Sequence, residues 1–187
     1  MNTKTKKLST VSMVLCGMFA ALVAIGAFIQ IPVPYMDYFT LQFFFVLLAG
    51  LILGADKGAI SVGCYVLLGL VGVPIFAAGG GIGYIFRPSF GYLVGFIVSA
   101  YVTGKVCEKL KASYKNYLLA CLAGFVVTYA IGIVYKFIIL NFYAHTPATL
   151  GVIFLSCFPL DMPGDFVLCL LAAGVGLRMR KSGFYLG

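Results

Sequence analysis

Long apolar runs, broken only where charged residues gather, leave this chain few ways to fold. Charged residues make up 10% of its 187 positions, where a water-soluble domain carries roughly a quarter. That is too few to cover a water-facing surface, so lipid is the expected solvent. A helix needs about 20 mostly apolar residues to cross a bilayer. Runs at 11–31, 41–54, 58–71, 89–106, 117–142 and 165–177 supply six candidate spans. The third is short and should tilt or pass into irregular chain. The sixth has an apolar lead-in from residue 150. The expected fold is therefore all-α: one polytopic membrane domain over 1–187, with no room for a soluble ATPase or a large external domain. The first run follows basic residues, as in a signal peptide. It lacks a clean cleavage site and reads as a retained span.

The net charge of +8 could suggest a nucleic-acid partner, but its placement argues against one. Lys4, Lys6 and Lys7 precede the first run, and Lys57 sits beside Asp56 at a break. Lys105, Lys109, Lys111 and Lys115 fill another break, and Arg178, Arg180 and Lys181 follow the last run. Positive residues flank spans on the cytoplasmic side. Six crossings put all four clusters, and both termini, in the cytoplasm; five would split them. No phosphate-binding loop and no metal-spaced His/Cys cluster is present. The six cysteines lie mostly inside apolar runs without a CxxC pair, and are expected to be small, reduced core residues.

The outer side then collects the unusual residues. They are the 32–40 loop with Asp37, a glycine-rich stretch at 77–88 ending beside Arg87, and the 142–165 loop with His145, Asp161 and Asp165. Lys136 falls late in the fifth run. Ionisable groups at membrane depth are costly and usually functional, and irregular chain there survives only inside protein or along a cavity. Glycines such as Gly81 let backbone approach a ligand. An outward-opening small-molecule pocket is expected.

Arg87 is the sharpest candidate, because a guanidinium fork matches a carboxylate; the competing role is an internal ion pair with Asp161 or Asp165. Those two aspartates are spaced i, i+4, but Pro163 and Gly164 between them suggest a helix start at Asp165. Asp161 would then point inward as an acceptor, and Asp165 could simply complement the helix dipole. Lys136 could line the pocket or snorkel to the interface. Gln42 and Thr40 open the second run as possible donors. Tyr84, Tyr92 and Tyr135 are more often core or belt aromatics than ligand contacts. His145 should be exposed. In the first run Gly17, Ala20, Ala21 and Ala24 form a small-residue stripe that would let another helix approach closely, inside or outside the bundle.

These segments resemble a known family. IPVP, Thr40-Leu41-Gln42 and the LLAGLILG run are similar to the opening of BioY proteins. YVLLGLVGVPIFAAGGGIGY, RPSFGYLVGF and FPLDMPGD continue the similarity to the sixth run. The resemblance implies a six-helix biotin-binding subunit of an energy-coupling-factor (ECF) vitamin transporter, in the plasma membrane. It implies no cofactor and no catalysis. Its implied partners are a transmembrane coupling subunit and two ATP-binding subunits, with Gly17, Ala20 and Ala24 serving the docking. Two positions depart from the family. It usually has a glycine where Arg87 stands, and a lysine where this chain has Leu168. Arg87, helped by Ser89, is therefore expected to hold the biotin carboxylate. Asp161 or Asp165 would accept from the ureido ring, with Gln42, Lys136, Tyr84 and Gly81 completing the pocket. The rival readings are a stand-alone secondary carrier for a small carboxylate and, more remotely, an intramembrane enzyme. The first is weakened by the lack of an internal repeat, the second by the lack of a placed nucleophile and base.

Overall fold

Ser9 starts the first helix. Its side-chain oxygen accepts from the Ser12 backbone N–H at 3.2 Å, satisfying one of the donors a helix start leaves open. The apolar run that follows forms α1 (Thr10–Phe28), and six more helices succeed it: α2 (Gln42–Leu53), α3 (Ala55–Leu70), α4 (Phe90–Lys109), α5 (Tyr114–Ile138), α6 (Leu150–Cys157) and α7 (Asp161–Lys181). The structure, a computed structural model, describes residues 9–32, 38–144, 146, 148–157 and 161–183. Lys4, Lys6, Lys7, Asp37 and His145 lie outside the described residues.

Three features depart from the sequence reading. The chain between α1 and α2 forms a small antiparallel ribbon, β1 (Gln30–Pro32) and β2 (Tyr38–Thr40), in register Gln30↔Thr40. The lead-in to the last run is a separate short helix, α6. And α7 begins at Asp161, four residues earlier than Pro163 and Gly164 suggested. A proline in the first helical turn costs nothing there, because its missing N–H would have had no partner. The two aspartates therefore do share one helix face.

By length and apolar composition, the helices able to cross a bilayer among the described residues are α1, α4, α7 and α5 with its π-helical extension (Ile139–Tyr143); α2 is apolar but shorter. α2 and α3 form a tight hairpin at Gly54, so that Gln42 meets Tyr65 and Gly58 meets Ala49. α4 and α5 run antiparallel along a glycine seam. Gly91 lies against Tyr135, Gly95 against Thr128, Gly124 against Ser99, and Gly132 against Tyr92. α7 runs back along α5, with Tyr129 beside Asp165 at one end and Tyr117 beside Arg180 at the other.

The core is apolar, built on Phe43, Leu47, Leu51, Val62, Tyr65, Ala100 and Tyr117. The outside is apolar too: Val14, Leu67, Val126 and Leu155 are each more than 60% exposed. In water such a surface would be an aggregation liability; in lipid it is the ordinary outer face. Five of the six cysteines are buried and free, and Cys64 is exposed. The helix pairings sort the bundle into two ends. Lys57, Lys105, Lys109, Lys115 and Arg180 lie toward one. Residues 39–43, 77–96, 129–136 and 161–165 gather at the other.

Candidate functional site

At that second end the helices part around an open cleft enclosing about 780 Å³ of empty space, its mouth included. Its floor is aromatic and apolar, from Phe43 of α2 and Leu93 and Phe96 of α4. Tyr92 and Tyr129 form one wall. Polar groups enter from four directions: Thr40 and Gln42 at the start of α2, Ser89 before α4, Lys136 from α5, and Asp161 with Asp165 from α7. A mostly apolar cavity with a few convergent polar groups is the usual form of a small-molecule site.

Three of these polar groups, Thr40, Gln42 and Asp165, are placed by hydrogen-bonded neighbours. The Tyr129 hydroxyl donates to Asp165 Oδ2 at 2.8 Å, holding the carboxylate against the wall. Tyr92 packs edge-on against Tyr129, their ring centroids 5.8 Å apart, and its hydroxyl contacts Cys157 Sγ at 3.1 Å, tying α6 to the wall. Gln42, 4% exposed, donates its amide N–H to the Tyr65 hydroxyl, which in turn donates to the Ile75 carbonyl. Thr40 Oγ1 donates to Gln42 Oε1 at 3.2 Å. The Gln42 amide is thus oriented from both ends before any ligand arrives.

The roof is the segment between α3 and α4. Gly81 has φ +101°, a conformation that costs glycine little and other residues more; its N–H donates to Gly69 O at 2.7 Å. Phe76 packs between Tyr65 and Tyr84, with ring centroids 5.5 and 4.6 Å away, and lies so close to Gly69 that a side chain there would run into its ring. The Tyr135 hydroxyl donates to Ile85 O, pinning a short 3₁₀ turn (Ile82–Phe86) to α5.

The expected site residues divide. Gln42, Tyr84, Ser89, Lys136, Asp161 and Asp165 all line the cleft. Gly81 shapes the roof without lining it. Arg87 is exposed, and its guanidinium lies over the Tyr84 ring at 5.3 Å. It does not line the cleft, because this cation–π contact holds it on the outside of the roof. The cation that does line the cleft is Lys136, half-buried. Tyr129 and Tyr65 were not singled out from sequence. Tyr129 lies seven residues before Lys136, two turns along the same helix face, and that spacing was the available signal. The small-residue stripe also divides. Ala20 is 7% exposed and packs in the core, Ala24 is partly buried against it, and Gly17 faces outward with nothing near its missing side chain.

A sequence model described as the BioY family matches residues 1–183. The chain is 40% identical over 177 residues to a probable biotin transporter BioY of Lysinibacillus sphaericus, covering 94% of this chain and 90% of the relative. It is 39% identical over 169 residues to the biotin transporter BioY of Thermotoga maritima, covering 88% and 93%. Its fold is similar, at a TM-score of 0.83 and 25% identity, to the crystal structure of the S-component for biotin from an ECF-type ABC transporter, over 99% of this chain and 97% of that one.

Proposed function

The chain belongs to the BioY family, and from that premise we propose that it is the biotin-binding subunit of an ECF-type uptake transporter in the cell membrane. The observation that carries this reading is the cleft itself. Two carboxylates of α7 and a lysine of α5 enter the same cleft, among aromatic and apolar side chains. Biotin has a ureido ring with two N–H donors, an apolar bicycle and chain, and a carboxylate. Asp161 and Asp165 suit the ureido donors. The floor of Phe43, Leu93 and Phe96 suits the bicycle and chain. Gln42, Ser89 and Tyr84 close around them, under a roof shaped by Gly81.

In this reading α1 to α5 and α7 cross the membrane and both termini are cytoplasmic. The basic residues gathered at the end away from the cleft support that orientation. α2 and α3 are short for spans; the remaining depth is made up by the ribbon and the roof, irregular chain that lines a cavity rather than facing lipid. Energy comes from a transmembrane coupling subunit and two ATP-binding subunits. On α1 the outward side of Gly17, with Ala24 at its margin, is the part of the stripe open to the coupling subunit; Ala20 serves the bundle's own packing.

The test is equilibrium binding with the full chain purified alone in detergent. One biotin per chain, retained unchanged as judged by mass spectrometry, is the expected result. Chemical conversion of biotin would make the chain an enzyme. Uptake into liposomes by the chain alone would make it a secondary carrier.

A further inference from the structure

Lys136 is a cation in a costly place. It sits within α5 between Tyr135 and Phe137, half-buried, and lines a cleft with a largely aromatic and aliphatic floor. An ammonium taken partly out of water loses hydration, and without a partner that loss is not recovered. Among the described residues no hydrogen bond or ion pair occupies its Nζ, although two carboxylates line the same cleft. Asp165 is already engaged by the Tyr129 hydroxyl at 2.8 Å. Tyr129 and Lys136 share one face of α5, seven residues apart, which places them about 10 Å apart along the axis at 1.5 Å per residue. The cleft is thus polarised, with the Asp165 acceptor at the Tyr129 level and the Lys136 ammonium two turns away along α5. The other cation of this region, Arg87, lies outside the cleft on Tyr84.

We propose that Lys136 is the specificity residue for the free carboxylate of the ligand, and that the ligand lies along α5 with its N–H donors at Asp165 and its acid at Lys136. This rests on the biotin-binding reading and adds a direction to it. The distance suits the ligand, because a fused bicyclic ring followed by a five-carbon acid chain, when extended, spans two helical turns. A neutral amide at the same end would leave the ammonium without a counter-charge, so the site should select acid over amide. Arg87 takes no part in that selection.

Binding of biotin and of biotin amide to the full chain in detergent, measured for the native protein and three variants, tests this. Lys136→Met is expected to weaken biotin about ten- to a hundredfold, the range for a lost hydrogen bond to a charged group, while leaving the amide within a few fold. Lys136→Arg should keep the acid preference, and Arg87→Ala should leave the acid-to-amide ratio unchanged. An unchanged ratio in Lys136→Met overturns the proposal, as does a collapsed ratio in Arg87→Ala. A native protein that binds neither compound overturns the biotin-binding reading instead. A second measurement needs no variant. The N-hydroxysuccinimide ester of biotin, added in mildly alkaline buffer, brings its acyl carbon to whichever amine faces the acid end. A neutral lysine Nζ attacks that carbon, an amide forms, and N-hydroxysuccinimide leaves while the amine proton passes to buffer. Peptide mapping should find Lys136 acylated, and excess free biotin should block it. Biotin-protected labelling at a different lysine, with Lys136 unmodified, overturns the proposal.

Discussion

Hydroxyl groups set the positions of Gln42 and Asp165 in the cleft, and these hydroxyls are where residue-scale tests are sharpest. Tyr65 does not line the cleft, yet its hydroxyl accepts from the Gln42 amide and passes the orientation on to Ile75 O. Tyr65→Phe should therefore lower biotin affinity several-fold, the effect of losing about 1 kcal/mol of hydrogen bonding, without changing which compounds bind. Unchanged affinity in a titration would show that Gln42 needs no such support. Deeper in the bundle, the hydroxyls of Ser99, Thr103 and Thr128 are buried and find no hydrogen-bond partner among the described residues. Burying a hydroxyl without a partner costs about 1–3 kcal/mol. Thr103→Val should therefore be neutral or raise the thermal unfolding temperature. A clear drop would reveal a partner that this hydroxyl holds in the folded protein.

Elements meet here through small residues, and their spacing decides which faces can close. Along the α4–α5 seam a methyl group at Gly124 would collide with the Thr103 hydroxyl and come within 2.6 Å of the Ser99 oxygen. Gly124→Ala should cost about 1–3 kcal/mol by overpacking, read as a lower unfolding temperature in detergent. The α1 stripe gives a contrasting pair. Ala20→Trp forces a large ring into the core beside Phe19 and Val23, and should destabilise the isolated subunit. A Cβ at Gly17 meets nothing within 4 Å, so Gly17→Trp should leave biotin binding intact while reducing co-purification with the proposed coupling subunit. Normal complex formation by Gly17→Trp would remove α1 from the docking surface.

For the whole molecule, sidedness is the property to measure. If both termini are cytoplasmic, as proposed above, Thr146 lies on the outer side and Lys111 on the inner. In a chain whose exposed Cys64 has been replaced by serine, a cysteine at Thr146 should react with an impermeant maleimide added to intact cells. A cysteine at Lys111 should react only after lysis. The reverse pattern would invert the topology and put the cleft in the cytoplasm.

What the sequence determined alone follows from properties that are local. Whether a stretch such as 11–31 prefers lipid depends on its own side chains, so the apolar runs could be read directly, and the basic clusters beside them gave an orientation for the labelling experiment to test. Family motifs such as FPLDMPGD were equally local, and Gln42, Asp161 and Asp165 were found from where they fall beside the apolar runs. Direction is not local. Arg87 and Lys136 are both cations at the cleft end of the bundle, and no spacing says which one turns inward. Tyr84 holds Arg87 outside the roof, while the α4–α5 packing aims Lys136 into the cleft. The start of α7 at Asp161 rather than Asp165, the burial of Ala20 within an even-looking stripe, and the pairing of Tyr129 with Asp165 and Tyr65 with Gln42 were likewise settled only in the tertiary structure. Each depends on a neighbour distant in sequence, and a helix's own residues do not determine which of its faces that neighbour covers.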